Sequence, residues 1–545
     1  MMEDQLRRYV AYLDDNGYRA QEADEKIKIA VNIEGLDIVL WCCINRFFPY
    51  EIPKVYIDKE SRKVLPKIPH LHTDDSICIF DEGKVIPNFN APEKLLADTI
   101  DAAISIIQDG ILGKNKYDFI DEFLEYWSAK SVLNAQMFVR ELDVVQPIYW
   151  CWKKEDILIA ENSQRLQEVS YAIDGKSSEK NNKGMLIPID GECLDGIPQN
   201  DIDVIKIIEK YSPYTGQYSS FMNENINNLC LIILNITVPE GNMLVGWMHL
   251  GPGIPKGFRK GHVNLKVAFK MANKKGLAVA VKNCHQSRLF TRGGDGKKDT
   301  WNKVAIIGCG SIGGFITDAL KFYGTEQFIL VDNELLQYEN IARHVEGYFS
   351  VGMSKVCALK FGLQKHNPNI VCETYQEDAH VVIEDKTHEL NSCDVIFVAV
   401  ASVAIEHHIN LLMLDDRITK PVMIVWVEPY LIGGHAVIVK KKQDLYKEIF
   451  DATTFEFKNS IVQNGSDYLK REAGCQSTYM PYSGFMVQQF VYRVIDHVIS
   501  NCWTQKGNYL LTWCGKLSKA DNYGMKINKE YEQTEDFSLI TRRID

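Results

Sequence analysis

The sequence predicts a multidomain α/β fold: a small N-terminal α/β unit, a mixed α/β middle, and a C-terminal doubly wound, mostly parallel sheet. Three observations carry this reading. Beyond residue 300, apolar strand-like runs alternate with helical stretches, the pattern of a parallel sheet covered on both faces. Between the first such run and its helix stands a glycine turn, Gly308-x-Gly310-x-x-Gly313. At the N-terminus, a helix, two β-like runs and a proline-bracketed third strand precede a long amphipathic helix.

The bulk numbers bound the class. A chain of 545 residues carries roughly three or four domains. Its 46% hydrophobic, 24% charged and 10% aromatic content is that of an ordinary globular protein. A net charge of −11 argues against nucleic acid as the main partner, because phosphate binding needs a cationic surface. No apolar run has the length of a membrane span, and the N-terminus lacks a signal-peptide core. A soluble cytoplasmic protein with no membrane or nucleic-acid partner is expected. The 14 cysteines include no C-x-x-C pair, so neither a disulfide framework nor a four-cysteine zinc site is expected. Cys42, Cys43, Cys230, Cys372 and Cys393 lie in apolar runs and read as small core residues.

In chain order, Asp4–Asp15 reads as an amphipathic helix with Leu6, Val10 and Leu13 on one face. Ile27–Ile33 and Ile38–Ile44 read as strands about a Glu-Gly turn, and Phe48–Ile57 approaches a third strand between prolines. Pro92 opens a helix with Leu96, Ile100, Ala103, Ile104 and Ile107 on one face. A last helix is expected over about Tyr117 to Ser128. Residues 1–130 thus form a first domain. Residues 131–290 alternate short β-like runs (at Ile148, Ile157, Leu229 and Met243) with turns, and form a mixed α/β linker domain without a chemical motif. Asp174–Lys183 is a surface loop by composition, and His285–Asp299 reads as a polar boundary. Residues 291–545 form the third domain, with strands at Val304–Ile307, Phe328–Val331, Val371–Tyr375, Asp394–Ala399 and Val422–Val427.

In a doubly wound sheet the ligand sits at the carboxyl ends of the strands. Gly308, Gly310 and Gly313 let backbone approach phosphate, and the helix starting near Ser311 offers free N–H groups. Asp332 ends the second strand, where a carboxylate reaches ribose hydroxyls. Asn340 follows, and Arg343 and Lys355 supply charge suited to an α-phosphate under attack. Alone the glycine turn is a weak signal. With Asp332, Asn340, Arg343 and Lys355 it points to ATP used to activate a carboxylate.

These residues, with Asn367-Pro368 between a helix and the next strand, resemble the Rossmann-like adenylation domain of ubiquitin-activating (E1-type) enzymes and their bacterial ThiF/MoeB relatives. The resemblance covers about 240 residues and implies ATP and Mg2+. It also implies ribose binding by Asp332, phosphate contacts by Asn340 and Arg343, and transition-state stabilisation by Lys355. The family usually places a metal-associated Asp where this chain has Ala401, and Asp394 lies at the other end of that strand. Magnesium is therefore expected to be held mainly by ATP phosphates, or by an acid that the sequence does not identify. An Arg borrowed from a second subunit is common in the family, and Arg288 or Arg292 lies in the corresponding region.

Two cysteines carry the remaining chemistry. Cys475 lies in a polar, glycine-containing loop just before an apolar helix at Phe485–Val498, a setting that exposes a thiol and favours its thiolate. It matches the loop cysteine of activating enzymes, with a similar P-x-x-G at the helix start. Cys309, inside the glycine turn, reads as packing. Near the other end, Phe48–Ile57 and Ile68–Phe80 resemble ubiquitin-conjugating (E2-type) enzymes, whose acceptor cysteine lies eight residues after the Asn of an "HPN" motif. Pro69 matches the motif's Pro, His70 stands at the Asn offset, and Cys78 falls on the acceptor position. Ala91-Pro92 matches the family's "W-S-P" region without the Trp. A neutral His70 imidazole is expected to donate as the Asn does, or to act as a base. His70, His72 and Asp81 offer a weaker, metal-binding alternative.

An E2-like and an E1-like unit in one chain resemble the bacterial E1–E2 fusions of type II CBASS anti-phage systems. That resemblance implies an acyl relay from adenylate to Cys475, to Cys78 and then to a target lysine. The donor it implies is the C-terminal glycine of a CD-NTase, a cyclic-oligonucleotide synthase, and it also implies a homodimer. A ThiF/MoeB-like adenylyltransferase serving a sulfur carrier, which has no use for Cys78, and a non-catalytic nucleotide-binding scaffold stay open beside it.

Overall fold

The computed structural model describes residues 2–545 except 67, 73, 80–87, 116, 117, 119–121, 179, 191–197, 239, 240, 273, 295, 297–300 and 472–477. Two compact units emerge. One comprises residues 1–162 and 180–283, the other residues 163–179 and 284–545.

The first unit holds two sheets. Four antiparallel strands pair in sequence order, Arg19–Ala23, Lys26–Ile33, Leu36–Cys43 and Lys54–Ile57. Alternation of buried and exposed positions in the second and third (Ile27, Ile29, Ile33; Ile38, Leu40, Cys42) turns one face inward. Helices Met2–Asp15 and Pro92–Ile111 cover that face with Leu6, Leu13, Leu96, Ile100, Ala103 and Ile107. The first strand, RAQEA, is absent from the sequence expectation, because an edge strand with one buried residue carries no apolar period. Cys43 is half-buried, a departure from the core reading, since it points to the face opposite Cys42.

The middle region closes into a seven-stranded barrel. Its strands include Gln146–Lys153, Asp156–Ala160, Leu229–Val238 and Gly241–Leu250, each containing an expected β-like run. Helix Phe123–Lys130 covers the later part of the expected Tyr117–Ser128 helix, of which 117 and 119–121 lie outside the described residues. It buries Phe123 and Trp127 in the core between the barrel and its helices, and the Trp127 indole donates to the Val279 carbonyl. A buried polar knot pins this core. Asp201 accepts from the Trp247 indole at 3.0 Å and the Gly276 amide at 2.8 Å, and meets His249 Nδ1 at 2.6 Å. Burial alone would raise the Asp201 carboxyl, but His249 and the two N–H donors hold it below its usual range.

The second unit is built on an eight-stranded sheet. Val371–Tyr375, Gln327–Val331, Lys303–Ile307, Val395–Val398 and Val422–Val427 run parallel. All five expected strands are present. Gly433–Val439, Tyr509–Cys514 and Leu539–Arg543 extend the sheet antiparallel. The sheet is buried on both faces, so its central strands read as unbroken Val/Ile runs. His285–Asp299 is not simply a polar boundary. Gln286–Gly293 forms a helix docked through Gln286, which donates to the Gly324 carbonyl and accepts from Asn367. Arg288 and Arg292 lie on it, exposed. No helix among the described residues is long and apolar enough to cross a membrane.

Replacing Asp201 by Ala strands His249, Trp247 and the Gly276 amide in the core. We expect it to cost about 3–5 kcal/mol, read as a lowered unfolding midpoint for the barrel, whereas Glu224→Ala, at an exposed position, should shift it little.

Candidate functional site

At the carboxyl ends of the parallel strands a cavity of about 290 Å³ is lined by Gly310, Ser311, Ile312, Glu334, Asn340, Arg343, His344, Lys355, Ala399, Val400, Ala401 and Tyr482. The glycines around it differ in role. Gly308 has φ +91°, and a Cβ there would meet the Ala399 carbonyl oxygen at 2.7 Å. A Cβ on Gly313 would lie 1.9 Å from the Gly308 oxygen, so Gly313 seats the helix Ser311–Tyr323 against the turn. A Cβ on Gly310 would meet nothing within 4 Å. That position is open to a ligand, as close phosphate approach requires.

Of the expected site residues, Gly310, Asn340, Arg343 and Lys355 reach the cavity. Asp332 stands just outside its lining. Its two oxygens accept from the Cys309 and Glu334 amides, each at 2.8 Å, tying the glycine turn to the loop that follows. Lys355 is 7% exposed at the start of helix Lys355–His366, and its ammonium pairs with Glu334. Arg343 stacks on the Tyr482 ring at 4.7 Å and donates to the Met480 carbonyl at 3.0 Å. It therefore joins the cavity to the segment that follows Cys475. Cys475 itself lies outside the described residues. Cys309 is fully buried, as expected of a packing residue.

The sequence reading missed Glu334, His344 and Tyr482. His344 Nδ1 accepts from the Glu346 amide at 3.0 Å, which places the proton on Nε2, 2.9 Å from the Cys309 carbonyl oxygen. Burial holds His344 below its ordinary value, so a neutral imidazole backs the glycine turn. Ala401 lines the cavity with φ +51° and offers no carboxylate. Asp394, at the opposite end of that strand, accepts from the Asn302 and Lys303 amides. Glu334 is the one carboxylate among the described lining residues. A hard divalent cation held by ATP phosphates is compatible with this donor set, which offers one side-chain carboxylate among the described lining residues.

The second constellation lies in the first unit. Cys78 is exposed, and its amide donates to the His70 carbonyl at 2.8 Å. His70 has φ +62°. Sγ of Cys78, a ring nitrogen of His70 and a carboxylate oxygen of Glu122 lie within 4.8 Å of one another. His70 Nε2 is 2.9 Å from Asp118 Oδ2, and Nδ1 is 2.6 Å from Glu122 Oε1, an ion pair rather than an aligned hydrogen bond. Glu122 also accepts from the His70 amide at 2.7 Å and the Tyr126 hydroxyl at 2.6 Å.

This corrects the neutral-donor expectation for His70. Glu122, working against burial and helped by Asp118, raises the imidazole to about 9. Both ring nitrogens face carboxylates, so at neutral pH His70 is a cation and offers no free base nitrogen. Burial pushes Glu122 up, but His70, Tyr126 and the His70 amide together hold it below the usual carboxylate range. His72 faces Glu125 at 3.0 Å and does not join the cluster, and Asp81 lies outside the described residues. Glu122 and Asp118 come from a segment some fifty residues away, and no local spacing announces them.

Two expectations follow. Gly313→Ala should destabilise the second unit by about 1–3 kcal/mol through overpacking, while Gly310→Ala should leave its unfolding midpoint unchanged and weaken nucleotide binding. The His70 ion pair should contribute stability fully below about 6.5 and lose it as pH rises through about 9, because its folded value lies above the ordinary one. Imidazole proton shifts followed by NMR check this, and Glu122→Gln should move the midpoint down.

Residues 288–511 match the ThiF family, and residues 12–135 match the family described as Prokaryotic E2 family B. The ATP-dependent ubiquitin transferase-like protein Cap2 of Vibrio cholerae serotype O1 is 23% identical over 547 residues, which cover 89% of this chain and 89% of that protein. The ubiquitin-like modifier-activating enzyme ATG7 of Candida glabrata is 30% identical over 136 residues, 24% of this chain and only 20% of that protein. Among solved structures, E. coli MccB with ATP aligns over 45% of this chain and 64% of its own, at 14% identity and a TM-score of 0.28. One segment of the chain thus matches each family, and Cap2 is similar to it along nearly its whole length, which supports an E1–E2 fusion architecture.

Proposed function

We propose that the chain is an ATP-dependent, ubiquitin-transferase-like enzyme that adenylates a protein's C-terminal carboxylate, carries the acyl group on Cys475 and then Cys78, and joins it to an amine. The observation that carries this reading is the coexistence, in one polypeptide, of a cation-lined cavity at a glycine turn and an exposed cysteine beside a carboxylate-held histidine cation.

The steps follow from the residues. A glycine carboxylate oxygen attacks the α-phosphorus of ATP, giving the acyl-adenylate and pyrophosphate. Gly310 leaves room for the phosphates. Arg343 and Lys355 stabilise charge as the phosphorus becomes pentacoordinate, and Asn340 and Asp332 orient the nucleotide. Mg2+, when bound, neutralises phosphate charge. The Cys475 thiolate then attacks the carbonyl carbon and AMP leaves. Cys475 precedes Met480 by five residues, a stretch of at most about 18 Å. Arg343, which lines the cavity, donates to the Met480 carbonyl, so the described chain nearest Cys475 on its C-terminal side is held at the cavity. Cys78 next attacks the Cys475 thioester, and the Cys475 thiolate leaves. Finally an amine, with a target lysine as the expected source, attacks the Cys78 thioester, gives up a proton to solvent and forms the amide as the Cys78 thiolate leaves. The His70 cation stabilises the developing oxyanion, in the place the family gives to a neutral Asn.

The donor proposed is the C-terminus of a CD-NTase in an anti-phage system, as the fusion family implies. A homodimer in which Arg288 or Arg292 reaches a partner's cavity belongs to the same reading. A carrier-protein adenylyltransferase remains the second reading, and it leaves Cys78 without a role.

Non-reducing gels with ATP and the donor separate the two. Cys475→Ala should abolish both thioesters, and Cys78→Ala should leave a single adduct on Cys475. Lys355→Ala should lower ATP–pyrophosphate exchange by about 10²–10³-fold. An ATP-dependent adduct on Cys78 in the Cys475→Ala protein would contradict the relay order.

A further inference from the structure

We propose that Glu334 supplies the metal-holding carboxylate of the nucleotide cavity, and that metal binding there releases Lys355 for the α-phosphate. This rests on the activating reading above and identifies the acid that the sequence left open. Three observations on the second unit carry it.

The first is elimination. Glu334 is the one carboxylate among the described lining residues. Ala401 offers only a methyl group, and Asp332 stands outside the lining with both oxygens bonded to backbone amides. A magnesium ion on a bound triphosphate takes one or two protein carboxylates and fills its other positions with phosphate oxygens and water. Glu334 fits that requirement.

The second is construction. The Glu334 backbone is fixed at both ends: its amide donates to Asp332 at 2.8 Å, and its carbonyl accepts from the Lys355 amide at 3.0 Å. The side chain is 68% exposed. The carboxylate therefore swings about a fixed base, from the ammonium toward a cation in the cavity.

The third is charge. The Glu334–Lys355 pair occupies the cation that the triphosphate needs, while Arg343 is held by Met480 and Tyr482. Were Lys355 to leave Glu334 for the phosphates of bare ATP, that carboxylate would stand uncompensated at close range, and a divalent cation removes the repulsion. When Glu334 turns to the metal, the Lys355 ammonium, almost wholly buried, loses its partner and takes phosphate oxygen instead. Metal loading and the arming of Lys355 become one event.

The test is calorimetric titration of the full chain with an α,β-methylene ATP analogue, once with Mg2+ and once with EDTA. The wild type should bind about tenfold or more tightly with Mg2+. Glu334→Gln should reduce that gain to within about twofold of none, raising affinity in EDTA and lowering it in Mg2+. Adding Ala401→Asp to Glu334→Gln should restore the Mg2+ gain, since a left-handed position accepts Asp. Mn2+ electron paramagnetic resonance with the analogue gives a second readout, with the protein-bound signal lost in Glu334→Gln. A Glu334→Gln protein that keeps the full Mg2+ gain would overturn the proposal. So would equal weakening in both conditions, which would make Glu334 a tether for Lys355 only. A wild type that binds no analogue in either condition would overturn the activating reading itself.

Discussion

The two amide bonds to the Asp332 carboxylate hold the nucleotide cavity together. One oxygen fixes the glycine turn through Cys309, and the other fixes the loop that carries Glu334. From Glu334, a backbone bond and an ion pair set the start of the helix bearing Lys355. From the other side, the hydroxyl of Ser311 at the glycine-turn helix bonds the Arg343 carbonyl, and Arg343 reaches on to the segment after Cys475. Anion-binding backbone and cations are thus positioned relative to one carboxylate, and a polar residue at the end of a parallel strand organises the site around it.

The first unit solves a related problem with opposite charge. Its histidine is surrounded by carboxylates, so it is a fixed cation beside an exposed cysteine instead of a neutral hydrogen-bond donor. The same short segment serves two purposes. Glu122 engages His70, while the next residue, Phe123, and Trp127 one turn further along are buried in the barrel core. The cluster beside Cys78 is therefore anchored by the packing of the barrel, which gives the middle region a physical reason to exist beyond spacing.

Much of this was legible in the sequence, and the limits have physical causes. Four of the five parallel strands announce themselves because strands buried on both faces must be apolar, whereas the edge strand Val371–Tyr375 is only partly buried, and the glycine turn stands out because only glycine fits at Gly308 and Gly313. The barrel was not legible, since closure depends on pairing strands such as Leu133–Met137 and Leu277–Asn283 that lie far apart in sequence. The edge strand Arg19–Ala23 and the helix Gln286–Gly293 bury one residue each and leave no period to read. His70 was found by its offset from Cys78, but its charge state depends on Asp118 and Glu122, which only the fold brings to it. Ala401 lines the cavity without a carboxylate, and Glu334, two residues after Asp332, has no spacing in the sequence that marks it out.

The account stands on one ordered transfer of an acyl group between two sulfurs of this chain. Quenched-flow mixing of the wild type with ATP and the donor, followed by mass mapping of the cysteine-bearing peptides, measures it directly. The account predicts that the adduct on Cys475 rises first and decays as the adduct on Cys78 grows after a lag. A Cys78 adduct that appears without a lag, or ATP consumed with neither cysteine modified, would contradict it.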